Sequence, residues 1–166
     1  MSTNLVGLGI DIHKLKHGRN LILGGVHIPF HLGLDGHSDA DILCHAIIDA
    51  LLGAADEGDI GLIFGVDRPE NKDASSLILL QHVGNKLKKD YKIINIDTVI
   101  MTEQPKLSQY IGEMKENIAK MLSIEPEQVS IKATTAKGLG DIGTQKAMQA
   151  HAIVNLTRKR KWMFKK

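Results

Sequence analysis

The stretch "VGLGIDIHKL" (residues 6–15) decides how the chain is read. Its alternation is that of a buried strand, yet Asp11 and His13 stand where two more apolar side chains are expected. Side chains two apart on a strand point to one face, so the carboxylate and the imidazole project together. A buried carboxylate beside an imidazole needs a partner. A hydrogen-bonded Asp–His pair meets that need, and so does a metal ion.

Working outward, a strand over residues 4–12 is followed by a hairpin in "NLILGGVHIPF" (20–30), turning at Gly24 and Gly25. "SDADILCHAIIDALLGAAD" (38–56) predicts a helix, with Ser38 as N-cap and Asp39 and Asp41 in its first turn. A Gly-rich loop (57–73) leads to a second helix over 74–89 and a strand over 92–103. A third helix over 104–124, opened by Pro105, precedes a strand over 128–136 that runs into "KGLGDIG", and a last strand occupies 147–159. This order predicts an α+β fold, a sheet with helices on one face, rather than a doubly wound parallel sheet.

The 166 residues suit one domain with a core of its own. A single cysteine, Cys44, excludes both an intramolecular disulfide framework and a Cys-rich metal site, so a reducing, cytoplasmic setting is expected. No apolar run approaches the roughly 20 residues of a membrane span, and no signal or transit pattern opens the chain. "RKRKWMFKK" (158–166) holds six basic residues, leaving 15 basic side chains against 19 acidic ones elsewhere. The expectation is one domain over 1–157 and a solvated basic tail over 158–166. With no second basic cluster and only six aromatic residues, neither nucleic acid nor a membrane is an expected partner.

His37, Asp41, His45 and Asp49 recur every four residues and would form one polar stripe on a helix, drifting by about 40° per step. Ile42, Ala46, Ile47, Ala50 and Leu51 supply the apolar face beside it. Asp11, His13 and one helical histidine make two imidazoles and a carboxylate, the ligand set of an open zinc site or of a non-haem Fe(II) centre. A helix N-terminus at His37 and Ser38 would offer backbone N–H groups to a phosphate. "KATTAKGLGDIG" (132–143) ends a strand with two hydroxyls, a lysine and three glycines, the materials of a phosphate cradle or of an ordinary loop exit. It lacks the Walker spacing.

Taken in order, "GIDIHKL", "ILGGVHIP", "HSDADILCHAIIDALLGAADEGDIG", "QPKL" and "IKATTAKGLGDIG" resemble the 2-C-methyl-D-erythritol 2,4-cyclodiphosphate synthase family over residues 5–156. The resemblance implies a homotrimer of α+β subunits with ferredoxin-like βαβ elements and a site between each pair of neighbours. It implies a phosphorus–oxygen lyase of non-mevalonate isoprenoid biosynthesis, making a terpenoid precursor. In that reaction the 2-phosphate of 4-diphosphocytidyl-2-C-methyl-D-erythritol 2-phosphate attacks the β-phosphorus, expels CMP and closes the 2,4-cyclodiphosphate. By the same resemblance Asp11, His13 and His45 bind Zn²⁺ or another divalent metal, with a β-phosphate oxygen as fourth ligand, and Mg²⁺ or Mn²⁺ accompanies the diphosphate. His37 and Thr135 fall on positions that steady the transition state, and Ser38 on a phosphate contact. Asp59, Ile60, Gly61, Phe64, Thr102, Pro105, Lys106, Thr134 and Lys137 fall in substrate-binding segments, together with Asp11 and His13.

The chain also departs from the family's pattern. After "IGLIF" the family continues "PDTDP" where this chain has "GVDRP", so Val66 and Arg68 replace carboxylates. Lys137 stands in place of a glutamate that helps to hold the second cation, and Thr144 and Asp141 replace an arginine and an apolar residue. The family's axial phosphate cavity is therefore not carried over. An active synthase is the leading expectation; the alternative is a catalytically weak homologue that binds a cytidine nucleotide or a phosphate ligand.

Overall fold

Strand β1 (Asn4–Lys16) turns two glycines toward helix α1 (Ile42–Ala55), and the helix backbone rests directly on them. In this computed structural model, which describes residues 4–65 and 75–159, a Cβ built on Gly7 would sit 1.9 Å from the Ala50 carbonyl oxygen, and one on Gly9 1.9 Å from that of Ala46. Two strand residues advance about 6.7 Å and four helix residues about 6.0 Å, so strand and helix stay in step. One step further along, Asp11 meets the level of His45.

The neighbouring strand extends this seat. β7 (Ala147–Arg158) pairs antiparallel with β1, setting Ala152 opposite Gly9 and Ala150 opposite Asp11. Small side chains thus floor the helix on both strands. The full sheet runs β4 (Gly33–Leu34), β1, β7, β5 (Tyr91–Met101), β6 (Val129–Thr134). β5 and β6 are parallel and joined by α4 (Ile111–Leu122), which makes a βαβ unit. A two-stranded hairpin, β2 (Leu21–Leu23) and β3 (Val26–Ile28), turns at Gly24 and Gly25 as expected. Two short helices, α2 (Ile60–Phe64) and α5 (Gly140–Gly143), and the longer α3 (Ser76–Leu87) complete the set. The α+β architecture is as expected, and no helix among the described residues is long and apolar enough to cross a membrane.

Five local readings change, the first being the loop expected over 57–73, which contains α2. The apolar residues of the opening stretch do not share the buried face: Val6, Leu8, Ile10 and Ile12 lie on the outer face of the sheet, 47–68% exposed in the single chain, while Gly7, Gly9, Asp11 and His13 face α1. Helix α1 begins at Ile42 with Asp41, not Ser38, as N-cap, because Ala40 takes a positive φ of 56° that no continuing helix accommodates. The third helix starts at Ile111 rather than beside Pro105: Leu107 is buried as an anchor, and the chain bends through 103–105 and turns at 108–110 first. "GDIG", read as loop, forms α5, over which the Thr144 hydroxyl folds back to the Gly140 carbonyl at 2.9 Å. Val66, Arg68 and the tail from residue 160 lie outside the described residues.

Replacing Gly9 by valine tests the strand–helix seat. Overpacking a core costs about 1–3 kcal/mol where side chains can adjust, and here the obstacle is backbone. The expected outcome is a loss at or above the top of that range, read as a lower denaturant midpoint. An unchanged midpoint would remove the seat from the account.

Candidate active site

Three donor atoms converge where β1 leaves the level of α1. Asp11 Oδ2 lies 3.2 Å from His13 Nε2 and 2.9 Å from His45 Nδ1, and one ligand atom from each of the three residues lies within 4.8 Å of the others. Donors around a tetrahedral zinc at about 2.05 Å are roughly 3.3 Å apart. The spacing found is therefore close to what such an ion requires.

Each imidazole is held from behind. His13 Nδ1 donates to the Asp35 carbonyl at 2.5 Å, which leaves Nε2, on the Asp11 side, as the nitrogen that can ligate. Gly36 makes room for that ring, since a Cβ there would come within 2.9 Å of His13 Cε1. His45 turns Nε2 to Ser76 Oγ at 2.8 Å, with Ser38 Oγ at 3.3 Å. Three protein donors with braced rings fit an open metal site.

The charges agree with this. Burial pushes the Asp11 carboxyl up, but hydrogen bonds and positive charge from His13 and His45 outweigh it and hold the group far below the usual carboxylate range. The Asp11 hydrogen bond raises His13, against the opposing effect of burial. Asp41 is completely buried, and burial raises it despite bonds from the Gly25, Leu43 and Cys44 N–H groups. Its carboxylate occupies the α1 N-terminus, so the expected phosphate subsite on those N–H groups is corrected: their acceptor is Asp41. The expected polar stripe likewise shrinks to His45 and Asp49, since His37 and Asp41 precede the helix.

A cleft of about 360 Å³ opens over the triad, lined also by His37, Ser38, Asp49, Ile60, Gly61 and Phe64. Asp59 is the α2 N-cap, accepting from the Leu62 N–H at 2.8 Å. Asp49, which sequence reasoning left as a solvated or supporting carboxylate, accepts from the Ile60 N–H at 2.8 Å and so ties α2 to α1. Burial raises its carboxyl. Thr102, Pro105, Lys106, Thr134 and Thr135 line a second cleft of about 280 Å³, which shares no lining residue with the first. Lys137 stands beyond it in the following turn with φ 54°. Within one chain, the expected site residues fall into two separate groups.

Comparison with known proteins places this arrangement. The YgbB family profile matches residues 5–157. The chain belongs to the YgbB family. A 2-C-methyl-D-erythritol 2,4-cyclodiphosphate synthase from Chlorobium phaeovibrioides is 52% identical over 149 residues, covering 89% of this chain and 95% of that protein. One of the same name from Caldicellulosiruptor bescii is 53% identical over 150 residues, covering 90% and 96%. Among solved structures, IspF of Plasmodium falciparum in complex with CDP superimposes with a TM-score of 0.83 at 36% identity, covering 96% of this chain and 99% of that one. The bifunctional IspDF of Campylobacter jejuni gives 0.92 at 37%, with 96% of this chain matching 43% of the longer one. The two sequence relatives both carry the synthase name, and nothing in them favours a weak binding homologue.

Metal uptake has a predictable pH dependence. In the metal-free protein the Asp11–His13 pair is fully favourable only between the unfolded values of 3.8 and 6.5, because the carboxyl is lowered and the imidazole raised on folding. Zinc needs the neutral imidazole, so protons compete with it below the raised His13 value. Chelator competition should show full affinity well above the raised His13 value and roughly tenfold weaker binding per pH unit below it. Affinity independent of pH over this range would exclude His13 as a ligand.

Proposed function

We propose that the chain converts 4-diphosphocytidyl-2-C-methyl-D-erythritol 2-phosphate to 2-C-methyl-D-erythritol 2,4-cyclodiphosphate and CMP, a lyase step of non-mevalonate isoprenoid biosynthesis in the cytoplasm. The observation that carries it is the convergence of Asp11, His13 and His45 under a cleft bordered by His37 and Ser38, in a chain about half identical to synthases of that name. An oxygen of the 2-phosphate forms a bond to the β-phosphorus as the bond to the α-phosphate's bridging oxygen breaks. CMP leaves with that electron pair, and no water is consumed.

Bound at Asp11, His13 and His45, Zn²⁺ would supply a Lewis acid for a phosphoryl oxygen. The chain's own residues do the rest. His37 and Ser38 stand at the cleft beside the triad, where they meet phosphoryl oxygens, and Asp59, Ile60, Gly61 and Phe64 wall the methylerythritol side. Thr102, Pro105 and Lys106 receive the cytidine end, with Thr134 and Thr135 on its phosphates. The Lys137 ammonium offsets diphosphate charge where the family has a glutamate, and Mg²⁺ or Mn²⁺, where bound, would supply further positive charge there.

One substrate must touch both clefts, which a homotrimer accomplishes by joining the triad cleft of one copy to the cytidine cleft of the next. The outer sheet face supports that assembly, since Leu8, Ile10, Ile12 and Ile153 are 47–60% exposed there with no covering element among the described residues. The catalytic unit is one domain, expected over 1–157; Arg158, expected as the first residue of the basic tail, instead closes β7 opposite Tyr91.

Two measurements test the reading. Purified protein with the cytidylyl substrate, Zn²⁺ and Mg²⁺ should release CMP, and a His45→Ala variant should lose at least about a hundredfold in rate; equal rates would sink the assignment. Ile10→Lys should yield monomers in light scattering that still bind zinc but release no CMP, whereas an active monomer would rule out sites shared between copies.

A further inference from the structure

His45 reaches the triad through one ring nitrogen only. Its Nδ1 lies 2.9 Å from Asp11 Oδ2, so Nε2 points back into the protein. There it meets Ser76 Oγ at 2.8 Å. Ser76 is fully buried at the start of α3. Its hydroxyl also contacts Asp39 Oδ1, and its backbone N–H donates to Asp39 Oδ2 at 3.0 Å.

The proton count gives this chain a direction. A carboxylate can only accept, so the Ser76 hydroxyl donates its single proton to Asp39. Toward His45, Oγ is then an acceptor. His45 therefore keeps a proton on Nε2, and Nδ1, which in the metal-free protein donates to Asp11 Oδ2 at 2.9 Å, is the nitrogen a cation takes over. Ser38 Oγ, at 3.3 Å, is the more distant contact, and it already accepts from the Ala40 N–H at 3.1 Å.

We propose that Ser76 and Asp39 are positioning residues: a carboxylate–hydroxyl–imidazole relay that holds His45 in the tautomer a metal ion requires. The inference rests on Asp11, His13 and His45 being a metal site and extends it, for neither residue of the relay lines the triad cleft. The competing account is purely structural. Ser75, the α3 N-cap, makes no side-chain capping bond, so Asp39 could serve only as a remote cap on the Ser76 N–H.

Asp39→Asn separates the two. An amide keeps one oxygen for the Ser76 N–H, so the cap survives. Its NH₂ group, in the place of Oδ1, gives up the 3.3 Å contact with the Asp41 N–H and donates to Ser76 Oγ. The hydroxyl proton turns to His45 Nε2, and the imidazole proton is forced onto Nδ1, where it blocks the metal. Outer partners of metal ligands typically matter 10- to 100-fold in affinity. Zinc dissociation constants from chelator competition should therefore rise about 10- to 100-fold in Asp39→Asn and about tenfold in Ser76→Ala, while Ser76→Thr, which keeps the hydroxyl, stays near wild type. Long-range ¹⁵N–¹H spectra of the zinc-free protein should show His45 holding a proton on Nε2 in the wild type and losing it in Asp39→Asn. Wild-type zinc affinity in a folded Asp39→Asn variant would overturn the relay, and so would a wild-type His45 without an Nε2 proton. Both readouts are taken without substrate, so they are decided independently of CMP release.

Discussion

The contact on which the site depends is that of the α1 backbone with Gly7 and Gly9 of β1. It sets the height of the helix above the sheet, and with it the distance from His45 to Asp11 and His13. Metal sites tolerate errors of only about 0.2 Å in ligand distance, whereas a single Cβ at Gly9 would need to displace the Ala46 carbonyl by more than an ångström from its 1.9 Å position. Glycine in a strand costs about 0.5–1 kcal/mol relative to alanine. Six large side chains of α1, including Ile42, Ile47 and Leu51, are completely buried in return, each contributing about 1.5–3 kcal/mol. Packing outweighs the entropic cost, and the glycines are stable where they are.

Around that contact the acidic residues divide into different tasks. Asp41 is consumed by the α1 N-terminus and the Gly25 N–H, Asp49 by the first N–H of α2, and Asp39 by Ser76. Each carboxylate is met by donors and ties a different element to α1 or to the segment before it: the β2–β3 hairpin, α2 and α3. Asp11 differs in that the partners on its Oδ2 are two imidazoles, groups that a divalent ion can draw apart and share. A row of acids that reads alike in sequence thus contains one candidate ligand and three carboxylates that tie elements together.

Much of this was legible in the chain itself. The two-residue spacing of Asp11 and His13 puts them on one face of any strand, and His45 falls on a helix whose apolar content makes burial unavoidable. The order of strands and helices pointed to α+β. The start of α1 was not legible, because Ser38 and Asp41 are both good caps. The choice between them is made by Ala40, whose positive φ breaks the helix, and by Arg19, which holds the Gly36 and Ser38 carbonyls at 3.0 and 2.7 Å and keeps that segment extended. Ser76 carried no signal at all, since it lies 31 residues from the histidine it touches.

Sequence alone determined which residue types could meet a metal and a phosphate, since strand and helix periodicity are local properties of the backbone. Only the tertiary structure decided which side of β1 is buried. Both faces of that strand are plausible interiors by composition, and the closer fit of glycine to a helix backbone turns Gly7 and Gly9 inward, leaving Val6, Leu8, Ile10 and Ile12 outside. It also decided that the triad and the Thr102–Thr135 residues occupy separate clefts, because their separation is set by the strands between them, a distance that no spacing along the chain encodes.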